Sequence, residues 1–134
     1  MAIYAIGAKY GADDISTVFI TDNIAGIGWE YDDAPDLHEY VRSICPGDIV
    51  YLKSGSFSSD ITIIAIGIVV DEQILSDRDH GYVTIGRNVR WIYTNRFRIS
   101  RPANQKNNVR LNSIYREFHP DVINQIMDIV NENL

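Results

Sequence analysis

An α+β domain built on a central sheet is the fold class the sequence predicts, and three observations carry it. Pro46-Gly47-Asp48 is turn chemistry that leads into Ile49-Val50-Tyr51-Leu52-Lys53-Ser54, a strand pattern. A polar six-residue connection (55–60) then joins it to the run from Ile61 to Val70, almost wholly apolar and β-branched with no charge until Asp71. A run of that kind suits a central strand buried on both faces, so the two segments are expected to pair as a hairpin at the middle of the sheet. Outside it, apolar residues at helical spacing mark two flanking helices: Leu37, Tyr40, Val41 and Ile44, and later Val122, Ile123, Ile126, Met127, Ile129 and Val130.

In chain order, Ala2 to Lys9 is apolar in both registers and reads as an interior first strand that Gly11 breaks. Asp13-Asp14 are placed to cap a short helix through Ile15 to Ile20, because a carboxylate there accepts backbone N–H groups. Gly26 and Gly28 flank Ile27 just before Trp29, where backbone is able to approach backbone, or a ligand, closely. Glu30 to Asp36 is an acidic loop containing Tyr31. Pro35 opens the first long helix and Cys45-Pro46 ends it. Asp71 to Asp79 reads as a loop or short edge element, His80-Gly81 as a turn, and Tyr82 to Gly86 and Asn88 to Tyr93 as strand, with Val89 and Trp91 on one side and Arg90 and Ile92 on the other. Phe97 and Ile99, alternating with Arg96, Arg98 and Ser100, suggest a half-exposed strand. Pro102 to Asn108 is a polar loop, Val109 to Phe118 reads as a short helical segment, and His119-Pro120-Asp121 starts the last helix.

At 134 residues the chain is one domain's worth, with 46% hydrophobic residues and no apolar run long enough to cross a bilayer as a helix. The opening MAIYAIGAKYG lacks a basic stretch, so no signal peptide is expected and a cytoplasmic location is inferred. Cys45, the one cysteine, is read as a small buried thiol. The net charge of −6 argues against a nucleic-acid binder, but its distribution does not. Met1 to Asp77 carries a net −10, Arg78 to Arg116 a net +8 and the remainder −4. Eight of the nine basic residues in the middle block are arginines, whose forks suit phosphate and base edges. The same arginines are equally suited to pairing with the acidic half inside the fold.

The order of these pieces is specific: a Gly-Ile-Gly-Trp stretch, a helix, Gly47-Asp48 into Tyr51-Leu52-Lys53-Ser54, then Ile66-Gly67-Ile68-Val69, Val89-Arg90-Trp91 and Arg96-Phe97-Arg98-Ile99. It resembles the PUA-like superfamily, in particular its EVE and YTH-type branch, from Ala2 to Ile99. No match extends past Arg101. The resemblance implies a curved, mixed β-barrel with flanking helices, a single domain over residues 1–134, and a pocket for one flipped-out, usually modified, base. Such modules look like the readers of modification-dependent restriction systems or stand alone, and the implied partner is DNA or RNA carrying a modified base.

The residues suit that job. Aromatic faces stack on bases, polar groups read base edges and cations hold the neighbouring phosphates. Trp29 is the first choice for a pocket wall, followed by Tyr31 and Tyr51. Trp91 is weighed as core against wall. Lys53 and Ser54 are placed for a phosphate or base edge, Asp32 for an exocyclic amine, and Arg87, Arg90, Arg96 and Arg98 for phosphates. The acidic loop beside Trp29 counts against polynucleotides. It leaves a protein-interaction module, docking through the acidic helix around Asp36 to Tyr40, as the second reading. A nucleoside-processing enzyme of the ASCH type is the third. His38, His80 and His119 are scattered and read as surface, and no nucleophile elbow, phosphate loop or metal-ligand spacing is present, so no catalytic residue, metal or cofactor is assigned.

Overall fold

The computed structural model describes residues 1–54, 60–100 and 112–134. Most of the 55–60 connection, the polar loop at 102–108, and Arg101, Lys106 and Arg110 lie outside the described residues. In chain order the elements are β1 (Ile3–Gly7), β2 (Lys9–Tyr10), β3 (Asp13–Asp14), α1 (Ser16–Asp22), β4 (Ile24–Ile27), α2 (Pro35–Ser43), β5 (Ile49–Ser54), β6 (Ile61–Val69), β7 (Leu75–Ser76), β8 (Ile85–Tyr93), β9 (Phe97–Ile99), β10 (Ile114–Arg116) and α3 (Pro120–Asn133).

The turn at Pro46 to Asp48 feeds β5, and β5 and β6 pair antiparallel at the centre of a sheet ordered β10-β1-β5-β6-β8-β4. β7 pairs with β8 and β9 with β6, while β2 and β3 form a separate small hairpin. β1 runs parallel to β5, and its interior position explains why both of its faces are apolar. Register slips between Leu52 and Lys53 and between Ile66 and Gly67 bend the central strands, and the sheet curls into a half-barrel.

Alternation along β5 sends its side chains to two cores. Val50 and Leu52 join Phe19, Val41 and Ile85 on the inner face, whereas Ile49 and Tyr51 join Val122, Ile126 and Val130 of α3 on the outer one. The Gly47-Asp48 pair is a brace: the buried Asp48 carboxylate accepts the N–H groups of Ala2 (2.9 Å) and Cys45 (2.8 Å), tying β1 to the turn. Ahead of α1, the Asp14 carboxylate accepts from the Ser16 N–H at 2.9 Å and hydroxyl at 2.7 Å, but Asp13 and Asp14 form β3, and the N-cap itself is Ile15, which carries no side-chain cap. Gly26 pairs with Gly86 across β4 and β8, and a Cβ on it would lie 2.8 Å from the Gly86 Cα, so its bareness serves backbone packing.

Several expectations are corrected. The segment read as helical at 109–118 carries strand β10, which pairs with β1. β8 runs unbroken from Ile85, leaving Tyr82 in an exposed turn. Cys45 is exposed, because its N–H is turned inward to Asp48. On α2 it is His38 that is buried with Val41, while Tyr40 faces solvent. Among the described residues no helix is long and apolar enough to cross a membrane.

Candidate binding cleft

β4 stops at Ile27, and Gly28-Trp29 leaves the sheet at the rim. What fixes Trp29 there is its own carbonyl oxygen. His38 Nε2, on α2, lies 2.6 Å from that oxygen, and the Thr84 hydroxyl also donates to it. A carbonyl only accepts, so His38 carries its proton on Nε2. At the other end of the side chain, the indole N–H donates to the Ser113 Oγ at 2.9 Å, just ahead of β10. Trp29 is therefore held at both ends while 52% of it stays exposed.

Beneath this ring opens a cleft of about 410 Å³, within the range of small-molecule sites. The C-terminal ends of β1 and β5 contribute Gly7 and Lys53-Ser54, the β2–β3 hairpin contributes Lys9 and Tyr10, and Asn112 and Ser113 complete the wall. Gly28 lets the Tyr10 ring close in: a Cβ on it would meet that ring at 3.0 Å. The Tyr10 ring also sits edge-on to Phe19, with centroids 6.5 Å apart. Burial pushes the Tyr10 phenol well above its usual range, and its hydroxyl, shielded from solvent, has no hydrogen-bond partner among the described residues. Lys53 is 93% covered, with Nζ 5.4 Å from the Tyr115 ring centroid, so its ammonium sits where the cleft meets the outer face.

Of the expected pocket residues, Trp29, Lys53 and Ser54 line this cleft together. Tyr31 and Asp32 do not. They lie in the exposed turn after Trp29, where the Tyr31 ring packs edge-on against His38 at 5.4 Å. Tyr51 is corrected to a core residue with 0% exposure. Its hydroxyl donates to Glu117 Oε1 at 2.8 Å and lies 3.1 Å from the Tyr115 hydroxyl, binding β5 to β10, and burial drives its phenol well up. Trp91 packs against the inner core and its indole N–H donates to the Phe19 carbonyl at 2.9 Å, so it is no pocket wall.

The four arginines expected at phosphates are dispersed. Arg87, 2% exposed, is interior: it donates to the carbonyls of Val41, Ile44, Asp71 and Gln73, closing the C-terminal end of α2. Arg90 pairs across to Ile68 on the sheet face opposite Val89 and Trp91, away from the inner core. Arg96 reaches Asp14 at 3.4 Å and the Ser16 hydroxyl at 3.4 Å. The bonds from Ser16, with Arg96 as a smaller cause, hold the Asp14 carboxyl below its usual range. Arg98 is exposed and shares a cross-strand row with Thr62 and Ser54, at the cleft end of the sheet.

Thr84, Ser113 and Tyr10 were not singled out from the sequence, and His38, read there as surface, is buried on α2. His38 precedes Val41 by three positions, the spacing of one helix face; the others depend on contacts between distant segments. His80 is likewise engaged, with Nε2 2.7 Å from Asp22 Oδ2. No group of three or more His, Cys, Asp or Glu side chains suited to a metal occurs among the described residues.

The fold and the cleft define a small α+β protein with a curled sheet and an aromatic-rimmed cleft. Residues 30–117, more than half of the chain, match the family model described as a domain of unknown function (DUF8426), and the chain belongs to that family. The match begins one residue after Trp29, so it takes in Lys53, Ser54 and Ser113 but leaves out Tyr10 and Trp29. No curated protein matches the sequence. Among solved structures, the NMR structure of Rpa0253 from Rhodopseudomonas palustris is similar, with a TM-score of 0.55 at 9% identity over 96% of this chain and 92% of that one. At that identity the likeness shows the fold alone.

Proposed function

We propose that this protein is a PUA-like reader of the EVE/YTH type, which takes one flipped, modified base of DNA or RNA into the cleft under Trp29. The observation that carries the reading is the double anchoring of a half-exposed indole over a cleft that Tyr10 also lines. A ring held in place loses little freedom when a base stacks on it, and such stacking contributes about 1–3 kcal/mol per base. Lys9 lines the same cleft, and exposed Arg98 shares a cross-strand row with Thr62 and Ser54 at its edge, so positive charge is at hand for adjoining phosphates. The exposed acidic turn at Glu30, Asp32 and Asp33 follows Trp29 directly, and its charge favours a bound strand that runs away from it.

Titration of short single strands and duplexes of DNA and RNA, with and without base methylation, at low salt tests this. Wild-type protein is expected to bind a methylated strand, and Trp29→Ala to weaken it about 5- to 150-fold while remaining folded. An absence of binding to all of them would remove the reading.

A second reading has its own observation. Asp36, Glu39 and Tyr40 surround a shallow depression on the solvent side of α2, a surface suited to a basic protein partner. Glu39→Arg would then release a co-purifying protein and leave oligonucleotide binding untouched.

A further inference from the structure

The Tyr10 hydroxyl is the buried side-chain polar atom that lacks a hydrogen-bond partner among the described residues. A shielded hydroxyl in that condition is a standing cost to the fold, and a native protein tolerates it most readily where a ligand completes the bond. Tyr10 is also a wall of the cleft. Its ring packs closely against Gly28 and stands edge-on to Phe19. The other aromatic polar group at the cleft, the Trp29 indole N–H, is already committed to Ser113. Stacking on Trp29 is indifferent to which base is bound, since every base has a π-face. Selectivity has to come from an edge contact.

We infer that the Tyr10 hydroxyl reads the edge of the bound ring, donating its proton to a carbonyl oxygen or ring nitrogen of the ligand. The inference rests on the base-binding reading of the cleft and adds to it the group that discriminates. Donation is the direction that fits, because burial keeps the phenol protonated. The β2–β3 hairpin that carries Tyr10 has two residues per strand and stands apart from the main sheet, so small shifts of the hydroxyl toward a ligand do not disturb the central strands.

The test compares wild type with Tyr10→Phe, which keeps the ring and removes only the oxygen. Binding is measured to four seven-residue single strands with a central cytosine, 5-methylcytosine, adenine or N6-methyladenine, and the melting temperature is measured without ligand. Tyr10→Phe is expected to melt higher than wild type, to bind the tightest strand roughly 5- to 30-fold more weakly, and to show a narrower spread of affinities across the four. Affinities that stay within about twofold of wild type for all four strands overturn the inference and leave the base reading standing. Failure of wild type to bind any of them overturns the base reading, and this inference with it. An unliganded variant that melts lower than wild type also overturns it, since the hydroxyl would then already be satisfied within the fold.

Discussion

Replacing Arg87 with methionine separates a structural arginine from a phosphate-binding one. The side chain is buried and its three nitrogens reach four backbone carbonyls: Nε to Gln73 at 3.1 Å, Nη2 to Asp71 at 2.8 Å, and Nη1 to Val41 at 3.2 Å and to Ile44. Two of those carbonyls, Val41 and Ile44, belong to the end of α2, where Val41 has only a long 3.4 Å bond from the Ile44 N–H. Methionine fills most of the same volume, so the cavity left behind is small, but all four carbonyls lose the guanidinium as their donor. Hydrogen bonds to a charged group contribute about 1.5–3 kcal/mol each. The four share one guanidinium and do not add, and losing one partner of a buried charged network typically costs about 3–5 kcal/mol. Set against a domain stability of about 5–15 kcal/mol, that removes about a fifth or more of the total. The expected fall in melting temperature is about 10–20 °C. Urea denaturation followed by circular dichroism measures it, with exposed Arg98→Met as a control that should change stability by no more than about 0.5 kcal/mol. An Arg87→Met protein within about 1 kcal/mol of wild type would refute the reasoning. If its affinity for oligonucleotides fell as well, Arg87 would be a phosphate contact after all.

Three further outcomes are expected. Ser113→Ala frees the Trp29 indole, lowering its fluorescence anisotropy while changing stability by less than about 1.5 kcal/mol, and an unchanged anisotropy would show that the bond does not fix the ring. Gly26→Ala forces a Cβ against the β8 backbone and costs about 3 kcal/mol or more in chemical denaturation, whereas Gly81→Ala, with nothing within 4 Å, costs little; equal effects would contradict the close approach of β4 and β8. Because the folded Asp14 carboxyl titrates below its unfolded value of about 3.9, its contribution is present above that pH and is lost as pH falls through the folded value. Asp14→Asn should flatten that acid limb of the stability curve, and an unchanged limb in pH-dependent melting would contradict the assignment.

The elements that local pattern specifies were legible. The apolar run of β6 is buried on both faces because α3 covers one side and the inner core the other, which is what a chargeless β-branched stretch demands. The spacing of Val122, Ile126 and Val130 predicted the packed face of α3. β10 was not legible, since three residues become a strand only by pairing with β1 more than a hundred positions earlier. The β2–β3 hairpin was hidden for a different reason: at two residues per strand it is shorter than any periodicity, and Gly11 looked like a simple stop. In the site, Trp29 stood out because glycines precede it. Tyr51 and Arg87 misled because a strand tyrosine and an arginine in a basic block look the same whether a long-range carboxylate or carbonyl awaits them inside. Glu117 and the end of α2 supply those partners.

The central claim is that a base enters beneath Trp29, and the two indole N–H resonances of the ¹⁵N-labelled protein test it directly. Trp29 lies at the cleft and Trp91 donates to Phe19 in the core, so each reports on one place. On addition of a short single strand with one methylated base, the Trp29 indole resonance should move in proportion to occupancy while that of Trp91 holds still. Resonances that both stay fixed at saturating strand, or a shift confined to Trp91, would contradict the account.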